Sequence, residues 1–199
     1  MKKYELTSET KIVFGHILYR IKALSSFGYV SAGDLGGFLE SEKNLSQNGN
    51  AWVSGNAEVS GNAEVSGNAE VSGNAWVSGN AEVSGNAWVS GNAEVSGDAR
   101  VSGDARVYGN AEVSGNAEVS EIGAIFWIGA VGSRNDTATF FRCRDGSIKV
   151  VCGCFFGNLD EFAKKVRKTH GDNDHAKVYM LAIDMAKIRI STEKEKTEE

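Results

Sequence analysis

The sequence predicts a mainly β protein in which a parallel β-helix runs between an N-terminal β cap and a small C-terminal α+β domain. Three observations predict it. A six-residue unit, V-S-G-N-A-E, recurs almost unchanged between Trp52 and Ser120. Within each unit an Ala-x-Val triplet alternates inward and outward as a short strand does, and Ser-Gly-Asn supplies a turn. On both sides the text changes to ordinary globular sequence, so the 199 residues divide into a cap and lead-in (1–50), the array (51–120), an α+β domain (121–190) and a last stretch (191–199).

Residues 1–50 hold β-like text, KIVFGHILYRIKAL, followed by a Gly-rich lead-in, SAGDLGGFLESEKNLSQNGNAWV. Leu39 and Leu45 are already six apart, so coiling begins there, with a two-residue insertion ahead of Val53.

In the array, valine occupies every sixth position from Val53 to Val119. Six residues are too few for a helical repeat, whereas strand and turn at this period give three short sides per coil. One coil is then about 18 residues, stacked about 4.8 Å above the last. Twelve units make four coils, and the valine phase never slips, as it would in low-complexity disorder. The interior is thin, with one Val and one Ala per unit. The stack must therefore rely on hydrogen bonds between coils, on stacked Asn side chains at the turns and on covers over both open ends. The pattern V-S-G-N-A-x resembles the hexapeptide repeat of left-handed parallel β-helices. That resemblance implies the left hand, although the usual rule for parallel crossovers predicts the right.

Beyond the array, AIFWIGAV and TATFFRCR read as strands, Asp145-Gly146 as a two-residue hairpin turn and SIKVVCGCFF as the returning strand. That turn places Phe141, Cys143, Ile148, Val150 and Cys152 on one face, with Arg142, Arg144 and Lys149 on the other. Asn158 followed by Glu161 has the form of a helix start, with Leu159, Phe162 and Val166 on one side and Gly171 at the end. A second helix, over about 176–190, aligns Val178, Leu181, Met185 and Ile188 in one stripe. Residues 191–199, STEKEKTEE, are expected to form a flexible tail.

Composition narrows the function. No apolar run approaches the roughly 20 residues of a spanning helix, and the opening MKKYELTSET lacks the apolar core of a signal peptide. The expected location is the cytosol, with no membrane contact and with the three cysteines reduced. Charge is uneven: the array has two basic against nine acidic side chains, while each flank is near neutral. Nucleic acid is therefore disfavoured on the array, where each phosphate would meet a like charge.

Acyl transfer needs a histidine base, and zinc chemistry needs histidine or thiolate ligands at suitable spacing. The chain's three histidines, His16, His170 and His175, all lie outside the array, and no loop interrupts the twelve units. An acyltransferase-like enzyme is the least favoured function, and no catalytic residue or cofactor is expected. Cys143, Cys152 and Cys154 show C-x-C rather than C-x-x-C spacing and read as core thiols, so no metal site is expected.

The residue before each valine points outward. In steps of eighteen the three columns read Trp52, Glu70, Trp88, Arg106; then Glu58, Trp76, Glu94, Glu112; then Glu64, Glu82, Arg100, Glu118. Trp can damp repulsion between stacked glutamates, and exposed Trp beside Arg is also the composition of interface anchors. Trp52, Trp76, Trp88, Arg100 and Arg106 are thus candidate binding residues. The basic side chains Arg142, Arg144, Lys149, Lys164, Lys165, Arg167 and Lys168 are candidates for an anion or acidic-partner site.

At AGDLGGFLESEKNLSQNGNAWV, and again at GCFFGNLDEFAKKVRKTHGDNDHAKVYMLAIDMAKIRI, the chain resembles a family of bacteriophage and prophage proteins with a similar head and tail around a hexad array of variable length. The resemblance implies a phage-encoded accessory protein and carries no catalytic motif. The expected function is non-enzymatic binding of a host component, such as defence inhibition by sequestering a protein or a small nucleotide signal. The alternative is a structural spacer or oligomerisation scaffold in a phage assembly. Resemblance to left-handed β-helix proteins also implies a homo-oligomer, with a trimer the common form.

Overall fold

Every valine from Val53 to Val119, and the alanine two places before each, is sealed from solvent, as the repeat predicts. We describe residues 2–190 of the chain from a computed structural model; the proposed tail at 191–199 lies outside the described residues. Three strands, β1 (Tyr4–Val13), β2 (His16–Ala23) and β3 (Leu35–Leu39), precede twelve two-residue strands, β4 (Trp52–Val53) to β15 (Glu118–Val119). Each repeat strand pairs in parallel with the one eighteen residues on, Trp52 with Glu70, Glu58 with Trp76 and Glu64 with Glu82, which makes the three sides of a solenoid.

The coils are joined by one recurring backbone pattern. Glu64, Ser66 and Asn68 donate to the carbonyls of Ala81, Val83 and Gly85 at 2.8–2.9 Å, and the same three bonds recur from coil to coil. Outside, the Asn amides stack at the corners. Asn50 donates to Asn68, Asn68 to Asn86 and Asn86 to Asp104, at 3.1–3.2 Å. Such ladders satisfy side chains and backbone together and offset the thin interior. The turn glycines also stack, so close that a Cβ on Gly85 would lie 2.8 Å from the Gly103 nitrogen.

The lead-in adds a further coil. Leu39 pairs with Val59 and Leu45 bridges to Val65, each twenty residues apart, which is one coil plus the two-residue insertion. There the buried Asn44 amide donates to the Gly61 and Ala63 carbonyls, replacing backbone donors that the irregular coil does not supply. The antiparallel β1–β2 hairpin extends one side of the solenoid through β3. Tyr4 and Lys3 pin it down: the Tyr4 hydroxyl donates to the Leu45 carbonyl at 2.7 Å, and the buried Lys3 ammonium donates to the Ala51 carbonyl at 2.9 Å.

At the other end an antiparallel sheet of β16 (Ile125–Val131), β17 (Asp136–Arg142), β18 (Ile148–Cys152) and β19 (Phe155–Asn158) covers the last coil. Its register differs from expectation. Arg142 pairs with Ile148, and Cys143 donates to the Ser147 carbonyl, so the loop is the three residues Arg144–Gly146. Gly146 has φ +79°, the left-handed residue that a three-residue loop needs. The one-residue change re-sorts the faces. Phe141, Cys143 and Val151 join the solenoid core, while Phe140, Ile148 and Val150 face a second core under the helices. Cys143 and Cys152 therefore lie on opposite faces, with Cys143 buried, Cys152 half-buried and Cys154 exposed.

Helix α1 (Leu159–His170) opens on the expected box, Asn158 and Glu161 exchanging two hydrogen bonds at 2.9 and 3.0 Å. Helix α2 (Asp174–Arg189) turns the expected stripe outward, with Ile188 87% exposed. It buries Ala176, Tyr179, Ala182, Ile183 and Ala186 instead, and Ile190, just past its end, joins the same core. The alanines let its backbone approach the sheet, while the Tyr179 ring packs edge to face on Phe162 at 5.4 Å.

Gly85 and Gly171 both hold left-handed backbone, at φ +67° and +59°, but an added Cβ meets nothing within 4 Å at Gly171. Gly85→Ala is expected to cost about 1–3 kcal/mol more than Gly171→Ala in urea unfolding, the excess being the overpacking between coils.

Burial lowers the Lys3 ammonium from 10.5 to about 8. Between those values the unfolded chain still holds a proton that the folded chain has released, so the Lys3 contribution to stability rises with pH from about 8 toward 10, opposed above about 9 by the Cys143 and Cys152 thiols, which burial raises. Above about 10 the buried Tyr4 phenol, which burial raises above its ordinary value, reverses the trend, because only the unfolded chain then loses that proton. The difference in denaturant midpoint between the wild-type chain and Lys3→Met, measured across pH 7–10 (about neutral to the ordinary tyrosine range), should show the rise in favour of the wild type.

Candidate functional site

The outward columns hold, but not every member of them is exposed. Trp52, expected outside, is 3% exposed. Tyr4 and Phe27 of the N-terminal cap pack edge-on against it at 6.4 and 5.5 Å. Gly36 leaves room for it, since a Cβ there would lie 2.7 Å from the indole. Trp52 is an anchor for the cap and part of the solenoid core, and no column count could show that a separate segment folds over it.

Trp76 is half-buried and stacks on Phe14 at 5.1 Å. Phe14 and Gly15 form the tight β1–β2 turn with φ +48° and +85°, which sets the Phe14 ring over the second side of the solenoid. Arg100 pairs with Glu82 at 3.1 Å on the third side, a neutralised step in that column.

The C-terminal cations divide by role. Arg142 is buried, pairs with Glu121 at 3.0 Å and donates to the Ser120 hydroxyl at 2.8 Å, so it docks the sheet on the last coil. Arg144 donates to the Asp98 carbonyl, and Lys149 to the Asn116 side chain at 3.3 Å, in the same junction. Because of the register, Arg142 and Lys149 belong to opposite faces of the sheet and form no common basic surface. Lys164, Lys165, Arg167 and Lys168 are exposed along α1, away from these contacts.

Two expected residues do come together. Trp88 and Arg106 are parallel partners on adjacent coils, and they line a cleft of about 440 Å³ where the first side of the solenoid meets the C-terminal domain. The rest of its lining is Tyr108, Ile122, Ile125, Phe126, Trp127 and Arg189. Tyr108 could have been read from the sequence: it fills the position after valine that is Ser in the other eleven units. Trp127, on β16, and Arg189, in the last turn of α2, arrive only through tertiary folding.

The cleft combines an aromatic wall with positive charge. Trp88 and Tyr108 are 38% and 45% exposed, with ring centroids 6.3 Å apart and planes inclined by 30°. Tyr108 is fixed edge to face on Trp127 at 4.4 Å. Among the described residues Arg106 and Arg189 make no ion pair and no carboxylate lines the cleft. Beside an array with two basic and nine acidic side chains, this is a local reversal of sign.

The comparisons bear on the same stretch. A family model described as YdcK Beta solenoid repeat matches residues 93–109 and 99–115, which include Arg100, Arg106 and Tyr108. The array is a β-solenoid. No curated protein matches the chain.

Removing Trp52 should leave a large cavity under the cap, whereas Trp88 is only partly packed. We expect Trp52→Ala to cost about 3–5 kcal/mol and Trp88→Ala about 1 kcal/mol or less in urea unfolding.

Proposed function

We propose that this chain is a non-enzymatic binding protein that captures a small anionic ligand in the cleft between the solenoid and the C-terminal domain. One observation carries the reading: Arg106 and Arg189 both line an aromatic cleft that has no carboxylate in its lining among the described residues, beside the acidic array. Unpaired guanidinium groups beside low-dielectric walls attract anions and hold them through charge-assisted hydrogen bonds. The cleft is of ordinary size for a small-molecule site. The resemblance of the flanks to bacteriophage and prophage proteins supports a phage-encoded accessory role, in which capture withdraws a host component or signal and so blunts a defence.

A binder of this kind needs no general base. His16 is engaged by Glu40 at 2.9 Å on the N-terminal hairpin, and His170 and His175 sit beside each other in the helical region, with ring centroids 5.6 Å apart. None of the three lines the cleft.

A spacer role is the second reading, favoured by the uninterrupted i to i+18 pairing along the array. Removing one coil, 57–74, restores that pairing and leaves Trp88, Arg106 and Tyr108 in place, so a binder keeps its ligand while a spacer is shortened.

Native mass spectrometry of the protein recovered from bacterial cells should show a retained small anion, and inorganic pyrophosphate should raise the melting temperature. Both effects should persist in the coil deletion and disappear in the double variant Arg106→Glu, Arg189→Glu. A wild-type protein that carries no small molecule and shows no pyrophosphate shift would sink the reading.

A further inference from the structure

We infer that the ligand of this cleft is a free nucleotide, its base on the Trp88–Tyr108 wall and its phosphate on Arg106 and Arg189; this rests on the anion-capture reading above. Simple anions need only the two guanidinium groups. They do not explain why four aromatic side chains, Trp88, Tyr108, Phe126 and Trp127, line the cleft around them.

The aromatic wall has been assembled at a cost. Tyr108 stands where the repeat otherwise places Ser, and it leaves a large ring 45% exposed on a flat side of the solenoid. Trp88 occupies a position that is Glu one coil before, in Glu70, and it is also left open to water. A planar heteroaromatic ligand would cover that surface. Stacking of a base on an aromatic side chain contributes about 1–3 kcal/mol, whatever the base. The wall is also rigid, because Tyr108 is held by Trp127 and both it and Trp88 rise from hydrogen-bonded coils. Little side-chain freedom is then lost on binding.

The cations are placed for a phosphate beside that base. Arg106 is the direct neighbour of Trp88 across the parallel pair, and Arg189 enters from α2 on the other element that lines the cleft. Guanidinium groups match phosphate oxygens two at a time, so a phosphate between them would be gripped by both.

Charge also selects the size of the ligand. The array around the cleft is acidic: Glu70 lies in the same column as Trp88, and Glu94 and Glu112 stack in the next. A nucleic-acid strand would have to lay successive phosphates across those carboxylates, at a like-charge penalty for each. A mononucleotide or a small cyclic nucleotide fits the positive island without leaving it.

The test is quenching of tryptophan fluorescence, with calorimetry as a second readout. The probes are adenosine and guanosine monophosphates, their 3′,5′-cyclic forms, the two nucleosides, inorganic phosphate and pyrophosphate, a single-stranded oligonucleotide and a phosphotyrosine peptide. The key variant is Tyr108→Ser, which restores the residue of the repeat and so leaves the coil able to form; Arg106→Gln and Arg189→Gln complete the set. We expect at least one nucleotide to bind ten-fold or more tightly than its nucleoside and than inorganic phosphate. Tyr108→Ser should abolish that preference and leave any pyrophosphate binding intact, whereas the arginine variants should weaken both. Equal affinity for pyrophosphate and nucleotides, unchanged by Tyr108→Ser, would overturn the nucleotide assignment and leave anion capture standing. Preference for the oligonucleotide or for the phosphotyrosine peptide would overturn it in favour of a strand or a protein ligand. Binding of no anion would remove both readings.

Discussion

The structure depends on a hydrogen-bond ladder that never closes on itself. Each coil donates to the next through bonds such as Glu64 to Ala81 and Asn68 to Gly85, and the interior adds only valine and alanine. A ladder of this kind satisfies the middle and leaves two raw ends. Much of the remaining sequence answers that constraint. At one end the Asn44 amide, the β1–β2 hairpin and the buried Trp52 cover the first coils; at the other, Phe141, Cys143, Val151 and Arg142 close the last. Both covers are folded from ordinary sequence because a repeat cannot cap itself.

Capping at the second end also creates the cleft. A flat solenoid side offers little concavity, and a sheet with two helices offers its own core and no more. Where the two meet, an outward residue of the array stands beside side chains of a domain that it never contacts in sequence. Trp88, Arg106 and Tyr108 are outward-facing, so they could depart from the repeat without disturbing a valine or a ladder bond. The junction then sets them against Trp127 and Arg189.

What could be read from the sequence follows the same division. The array, its phase, the two-residue insertion before Val53 and the Asn158–Glu161 helix start are local patterns with one physical solution each, and they appear as expected. The errors arose where two solutions compete. The text around Asp145-Gly146 fits a two- or a three-residue loop, and the choice exchanges the faces of Cys143 and Cys152. Helix α2 carries two apolar stripes, and the larger side chains, Val178, Leu181, Met185 and Ile188, suggested the wrong one. Close packing against the sheet favours the stripe with Ala176, Ala182 and Ala186. Trp52 could not be distinguished from Trp88 by column position, because only the folded cap separates them. Three of the eight residues that line the cleft are readable, in the Trp88–Arg106 column and in the one Ser position held by Tyr. The other five come from the turn at Ile122, from β16 and from α2, which reach it only in three dimensions.

The three-sided coil makes the count of repeat units an angular setting as well as a length. Insertion or loss of a single unit upstream of the cleft would keep every valine inside, yet it would move the N-terminal hairpin about one third of a turn around the axis relative to the cleft. Only changes by a whole coil preserve the present azimuth between Phe14, which stacks over the Trp76 side, and the Trp88–Arg106 side. The array thus works like an indexed shaft, on which two working surfaces can be dialled to fixed bearings by repeat number alone.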